Sequence, residues 1–483
     1  MSSRIEIIPR PGFSWRTRSA FLLSLALAGC AALPSSFELP VVRDAAQYRS
    51  ADVLAAPEQS WPDEQWWRRY GDAQLDALIE EGLARSPDMA VAAARLRNAE
   101  AARQISNSAL YPQVSGNASA TSQKQSYNYL TPRNMTPDGW QDYGRASLDF
   151  SWEIDFWGKN RAALAAATSE ALASQAELAQ ARLTLATGIA TDYAELAHLF
   201  ATRDTLAEAL RVRSRTAELF AQRFANGLET RGSLREAEAR RAAAEGDLLQ
   251  VDEQIALQRN RLAALLGAGP DRGHDIARPQ FSFTHHYALP AELAVDLLGR
   301  RPDIVAARLQ VEAQGKRIEE KRAGFYPNVN LAAFIGVQSL GLNMLHKGGS
   351  NIGSVGPAIS LPIFNAGRLQ GELRGAQARY AEAVASYDKT VTQALQDVAD
   401  AAVSQKALGA RLSKSEEAVG AASEAYQVAR NRYEGGLSSY LEVLSAEDGL
   451  LTNLRALTDL RSRSFTLDVA LTRALGGGYR TNN

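Results

Sequence analysis

Ser147-Leu148-Asp149-Phe150-Ser151-Trp152-Glu153-Ile154-Asp155 alternates strictly between polar and apolar side chains. Leu148, Phe150, Trp152 and Ile154 share one side; Ser147, Asp149, Ser151, Glu153 and Asp155 share the other. A period of two belongs to a strand, not to an amphipathic helix. Three more segments invite the same reading. Gln113 to Thr121 is a polar, small-residue strand candidate. Val329, Leu331, Ala333, Ile335 and Val337 form one apolar face, and Val355, Pro357, Ile359 and Leu361 another on the returning segment. Strands are thus expected at about 113–124, 142–155, 328–339 and 351–362. The loops joining them, Gln123–Gln141 and Ser339–Ser350, are rich in Gly, Asn, Ser and Pro.

A strand of about 10–12 residues with unlike faces is long enough to cross an outer membrane. Four strands cannot close a barrel of useful bore, and an open edge in hydrocarbon leaves backbone groups without partners. Spanning strands therefore require more than one chain around a shared barrel, and three chains supply twelve strands. A small soluble β-domain is the alternative. If the strands span, the face with Arg145, Asp149, Glu153 and Asp155 lines an acidic, water-filled lumen, since charge facing lipid is costly. Trp152, Trp157, Tyr127, Tyr129, Trp140 and Tyr143 are then candidates for interfacial anchors.

Proline placement marks out the rest. None lies between Pro137 and Pro270, and none follows Pro362. Both tracts are dense in Ala, Leu, Glu, Gln and Arg, strong helix formers. Gly158 to Phe224 as continuous helix spans roughly 100 Å, and Ala366 to Tyr433 is of similar length. Each tract meets a glycine-bearing turn, at Gly227 and Gly436, and then continues as a shorter helix. Long helices broken by tight turns predict antiparallel hairpins packed as coiled coil, with an ordinary helical bundle as the alternative. Leu172, Leu178, Leu183 and Leu185 among alanines, and Leu248, Ile255, Leu262, Leu265 and Leu266 on the returning arm, mark the expected seam.

The chain also repeats itself. Ser86-Pro87-Asp88 recurs as Arg301-Pro302-Asp303, and Tyr111-Pro112 as Tyr326-Pro327, both offset by 215 residues. Arg223-Phe224-Ala225-Asn226-Gly227-Leu228 matches Arg432-Tyr433-Glu434-Gly435-Gly436-Leu437, and Leu266-Gly267 matches Leu475-Gly476, both offset by 209. Four landmarks in one order indicate tandem duplication. The first repeat covers 63–270, with a hairpin at about 158–267. The second covers 280–478, with a hairpin at about 366–475, and 479–483 form a tail.

The formal charge of −1 gives no reason to expect a nucleic-acid partner. One cysteine excludes intrachain disulfides and multi-thiolate metal sites. That cysteine ends an export segment: Arg16 and Arg18, a short apolar run from Ala20 to Ala28, then Gly29-Cys30. Leu27-Ala28-Gly29-Cys30 looks like a lipobox, making 1–29 a signal peptide, Cys30 the lipidated residue and 30–62 a linker. An ordinary signal peptide with a chance cysteine is the alternative. Cleavage removes four arginines and one glutamate, moving the formal charge from −1 to −4. Ala31, rather than aspartate, follows the cysteine, which in bacterial lipoproteins generally suggests outer-membrane retention.

No G-x-S-x-G, P-loop, dinucleotide fingerprint or H-E-x-x-H occurs, so neither an enzyme nor a cofactor is expected. His285-His286 alone makes no metal site, and four methionines form no visible relay.

These residues together resemble the outer-membrane efflux factors, in the lipoprotein branch serving RND-type pumps. The features are the lipobox, Trp66-Trp67 with Leu75, the two Pro-Asp and Tyr-Pro pairs, Asp149 to Gly158, and Arg432 to Leu437. The resemblance implies an α+β membrane protein, a homotrimer with a 12-stranded transmembrane barrel continued by a periplasmic α-helical tunnel. It also implies a passive exit duct for small molecules, joined to a periplasmic adaptor and an inner-membrane RND transporter. A duct for type I protein secretion and a non-conducting structural lipoprotein are the other readings. By the same resemblance Gly227 and Gly436 are the periplasmic tips, and Tyr433, Glu442 and Ser445 fall at the gate. Glu442 has the acidic character of a pore-facing ring, with Arg432 as compensating base; a solvated helix position is its bland alternative. Ser445 stands where many members carry aspartate, although Glu447 and Asp448 lie close by.

Cys30→Ser is expected to abolish incorporation of labelled fatty acid while leaving the chain in the outer-membrane fraction. Label retained on the variant refutes the lipobox reading.

Overall fold

The computed structural model describes residues 39–43, 47, 60–128, 131–280 and 293–480. Cys30 with the export segment, most of the linker, Tyr129, His285-His286 and the final three residues lie outside the described residues. A 3-10 turn, Trp66–Tyr70, precedes helices α1 (Ala73–Arg85) and α2 (Pro87–Ser108). Strands β1 (Gln113–Lys124) and β2 (Trp140–Glu153) follow, then α3 (Lys159–Ala225) and α4 (Arg231–Leu265). The second half contains α5 (Leu293–Arg300), α6 (Pro302–Ala323), β3 (Asn328–Leu340), β4 (Asn351–Ser360), α7 (Arg368–Glu434) and α8 (Tyr440–Ala474). Helices α2 and α6 each have 22 residues, α3 and α7 each 67, α4 and α8 each 35. Among the described residues no helix is long and apolar enough to cross a membrane.

Local chemistry sets these boundaries. Pro87 and Pro302 occupy first helical positions, where a missing N–H leaves no partner wanting. The Asp72 carboxylate caps α1, accepting from the Gln74 and Leu75 amides at 2.9 and 3.2 Å. Both hairpin turns close in the same way. Gly227 N donates to Phe224 O at 3.0 Å and Leu228 N to Arg223 O at 2.8 Å; Gly436 N and Leu437 N donate to Tyr433 O and Arg432 O at the same distances. Such helix ends need a left-handed residue, and the two glycines have φ of 71° and 73°.

The residues gather into two compact units, and each draws on both halves of the sequence. Asn98–Ala171 and Leu309–Ala385 belong to one; Val42–Arg97, Leu172–Arg308 and Ser386–Asn483 belong to the other. The first holds a single antiparallel sheet in the order β1-β2-β3-β4. Register pairs Val114 with Phe150, Leu148 with Ile335 and Ala333 with Val355, so one face is apolar across all four strands. Ser115 beside Asp149, and Arg145 beside Gln338, continue the polar face. No described helix covers the apolar face: Val114, Leu148, Ile335, Val355 and Ile359 are 54–75% exposed. Among the described residues neither β1 nor β4 has a strand on its outer edge.

In the second unit Trp66, Trp67 and Tyr70 pack with Leu75, Ile79, Ile189, Tyr193, Leu262 and Phe465 in one core. Tyr70 donates to Asp468 at 2.6 Å, and Arg69 bonds both Asp468 and Thr472. On α4 the buried positions Ala237, Ala244, Val251 and Gln258 recur every seven residues, with Ile255 and Leu262 four residues after the last two, a coiled-coil seam. Early α3 departs from the expected leucine seam. Ala162, Ala166, Ala167, Ala171, Ala173 and Ala176 are buried there, whereas Leu172 is 47% exposed. Small side chains bring helix backbones close, and the larger leucine turns outward.

The ends of α4 and α8 meet the starts of α2 and α6 at equivalent glycines. A Cβ on Gly476 would lie 2.1 Å from Arg300 O, and one on Gly267 2.9 Å from Arg85 O; both residues have positive φ. Gly476→Ala and Gly267→Ala should each destabilise by about 1–3 kcal/mol or more. Gly246→Ala, in open space on α4, should be neutral or stabilising. Thermal midpoints of the purified protein check all three.

Candidate functional site

The residues expected to matter fall on two features: the polar face of the sheet and the hairpin turns. On the polar face Asp149 accepts from Asn117 Nδ2 and Ser147 Oγ, each at 2.8 Å. Arg145 lies with its guanidinium carbon 5.0 Å from the Phe334 ring centroid. Glu153, at the end of β2, is bound by Lys159 Nζ at 2.8 and 3.1 Å. Asp155 departs from expectation. The strand stops two residues short of it, and its carboxylate turns to the start of α3, accepting from the Asn160 and Arg161 amides at 3.2 and 2.9 Å. A free helix N-terminus attracts a carboxylate more strongly than an open strand end does. The expected acidic wall is accordingly charge-balanced: Glu153 is answered by Lys159, Asp155 by Arg161, and Asp149 shares its face with Arg145.

The aromatic anchors divide as well. Trp140 stands on the apolar face at the loop end, 71% exposed. At the helix end the indoles donate to backbone carbonyls, Trp152 to Leu110 O and Trp157 to Pro327 O, and Trp157 stacks on Tyr326. Tyr143 sits on the polar face instead, and the Tyr127 hydroxyl accepts from the Gly139 amide within the loop.

At the turns, the structure ties Tyr433 to residues that the sequence did not single out as partners. The Tyr433 hydroxyl donates to Glu229 Oε2 at 2.8 Å, and the Arg223 guanidinium lies 4.6 Å from its ring. Burial and the neighbouring Glu229 carboxylate push the Tyr433 hydroxyl well above the usual phenol range. Partial burial opposes charge on Glu229, but hydrogen bonds from Tyr433, Ser233 and the Thr230 amide, with the Arg223 charge, hold its carboxyl below the usual range. Further along, Tyr440 donates to Glu236 at 3.0 Å, Arg240 to Asp448 at 2.7 Å and Arg455 to Asp247 at 3.2 Å. From the Arg240–Asp448 pair to the Arg455–Asp247 pair both helices advance by seven residues, so α4 and α8 run parallel with a polar ladder along one flank. Its signal was present in sequence as a shared spacing, but a charge pattern does not say which helix will face it.

Glu442 and Arg432 are both half exposed and meet at 4.0 Å, a loose pair of small energetic weight. Ser445 is exposed. Neither nearby acid is left over to replace the missing aspartate. Asp448 serves Arg240 and Arg213, and Glu447 is fully buried against Thr216, whose hydroxyl donates to it at 3.1 Å. Among the described residues no cluster of metal-ligating side chains occurs.

Known proteins share this arrangement. The family model described as outer membrane efflux protein matches residues 78–268 and 293–477. Relatives include the fusaric acid resistance protein FusA of Burkholderia cepacia, 36% identical over 369 residues, covering 74% of this chain and 68% of that protein. The multidrug resistance outer membrane protein MdtP of Escherichia coli K12 is 31% identical over 441 residues, 90% of each chain. The crystal structure of the outer membrane protein VceC from Vibrio cholerae superposes with a TM-score of 0.83 at 49% identity, covering 87% of this chain and 100% of that one.

Burial raises the Glu447 carboxyl above the usual glutamate range; Thr216, Arg213 and Arg240 only partly oppose this, and Asp448 adds to it. A raised acid favours the fold when protonated, so its contribution is lost as pH rises above the ordinary glutamate value of about 4.3. Glu229 has the opposite sign and loses its contribution only as pH falls below that value. Glu447→Gln should therefore flatten the decline of thermal midpoint above about pH 4.3 while leaving the acid-side loss intact. An unchanged slope counts against this assignment.

Proposed function

The chain belongs to the outer membrane efflux protein family, and from that premise we propose that it is the outer-membrane exit duct of a tripartite RND-type efflux pump. Three copies join edge to edge, β4 of each subunit beside β1 of the next, into one 12-stranded barrel. The helical hairpins continue it as a periplasmic tunnel whose tips, at Gly227 and Gly436, meet a periplasmic adaptor. An inner-membrane RND transporter supplies the energy, and Cys30 carries lipid anchored in the outer membrane. The family is one of channels, and the duct conducts passively.

The observation that carries this reading is the uncovered, two-faced sheet with two open edges. A row of unpaired backbone groups at each edge cannot remain in hydrocarbon, and copies of the same sheet supply the missing partners at every edge. Small toxic molecules are favoured as cargo because the names of FusA and MdtP refer to fusaric acid and multidrug resistance. The link from Tyr433 to Glu229, steadied by Arg223, holds the second turn to the first and acts as a latch at the closed tip. The half-exposed Glu442 forms an acidic ring around the passage.

Deletion in the source bacterium should lower tolerance to several chemically distinct toxicants, with an adaptor co-purifying with the wild-type protein. Unchanged tolerance with loss of a secreted protein would favour the secretion duct instead. In planar bilayers Tyr433→Phe should raise conductance by loosening the latch, which removes a hydrogen bond worth about 1–2 kcal/mol. Glu442→Gln should weaken cation preference. A purified wild-type protein that is monomeric and never conducts would sink the proposal.

A further inference from the structure

The polar sheet face carries three charged residues, Arg145, Asp149 and Glu153, and Arg145 is the only base among them. Lys124, the other basic residue in the strands, pairs with Trp140 on the opposite face. Phe334 is an aromatic ring on the mainly polar face, which also holds Leu340 and Ile352 toward the loop end. Register sets it directly beside Asp149, and its ring lies under the Arg145 guanidinium, 5.0 Å from centroid to carbon. A desolvated or fixed guanidinium over an aromatic face is held by the ring quadrupole. The ring therefore gives the base a platform along the wall, so that its charge is fixed in position without the side chain crossing the bore. Asp149 meanwhile has its own donors in Asn117 and Ser147.

Strand direction orders these charges. β2 runs from the loop end toward α3, so Glu153 with Lys159 lies nearest the helices, Asp149 next and Arg145 nearest the exit. Four residues separate Asp149 from Arg145, about 13 Å along the strand. The guanidinium leans back over Phe334, the cross-strand neighbour of Asp149, so the basic charge lies closer to the acid than this backbone spacing, and Arg145→Gln removes the positive member of the pair. Twelve strands enclose a bore roughly 20–25 Å across between backbones. The axis is then within about one Debye length of the wall at 0.1 M, and well inside the length of about 30 Å at 0.01 M.

Resting on the trimeric pore reading, we infer that Arg145, seated on Phe334, is the specificity-determining residue of the barrel's exit. Three guanidiniums form the outermost charged ring on the polar strand face, inside the loops that carry Arg133, Asp138 and Lys347; the ring favours departing anions and resists cations entering from outside. The class of cargo helped by this ring is one carrying a carboxylate or another anionic group.

Reversal potentials across bilayers bathed in unequal KCl solutions test it, with potassium and chloride as the probes. At about 0.01 M salt, Arg145→Gln should shift the permeability ratio toward potassium by about twofold or more, and at about 1 M the shift should vanish with screening. Arg145→Lys should restore the wild-type ratio. Phe334→Leu, which keeps the base and removes its platform, should give an intermediate shift, and it supplies an independent reading if Arg145→Gln does not assemble. Conducting channels of Arg145→Gln or Phe334→Leu with the wild-type ratio at low salt overturn the inference. Absence of conductance in every channel, wild type included, overturns the pore reading and the inference with it.

Discussion

An antiparallel sheet with an apolar face, a polar face and two unpaired edges is not a finished structure. In water it presents Val114, Leu148, Ile335, Val355 and Ile359 to solvent; in lipid it leaves the outer N–H and C=O groups of β1 and β4 without partners. The second difficulty is the more severe, because hydrocarbon offers no substitute for a lost backbone hydrogen bond. Copies of the same sheet relieve both together by closing the edges and turning the apolar face to lipid. The trimeric reading and the placement of the charged residues both follow from that one constraint.

The helical part meets a different requirement. Two hairpins of equal arm length come from two halves of one sequence, and their ends lock onto the starts of α2 and α6 through Gly267 and Gly476. Those junctions admit no side chain, which accounts for the recurrence of Leu-Gly at matching places in both halves. Between the hairpins, apolar burial supplies most of the cohesion. The exposed pairs along α4 and α8, each of small net energy, instead fix register and direction. Near the turns the balance changes: Tyr433, Glu229, Arg223 and Glu447 are sufficiently buried that their hydrogen bonds and charge states bear on stability.

Much of the site was legible before any coordinates. Strict alternation from Ser147 through Ile154 marked the two faces, and the glycine turns marked the hairpin ends. The charge balance of the barrel wall was not legible. Glu153 and Asp155 read as free acids because their partners, Lys159 and the opening amides of α3, belong to the next element. Likewise the family resemblance drew attention to Tyr433, while its partner Glu229 stands 204 residues away. Glu447 looked available for an acidic ring until its complete burial against Thr216 became evident.

Periodicity, proline spacing and internal repetition are properties of the chain itself, and they determined the element types, the two-sided sheet and the pairing of hairpins. Each arises from local geometry, a period of two or of three and a half, and survives without knowledge of neighbours. Which acids stay free, which aromatics face lipid, and which small residues form the seam were decided only by the tertiary structure. Those outcomes depend on distances between segments remote in sequence, where burial and a single opposing charge outweigh any local preference.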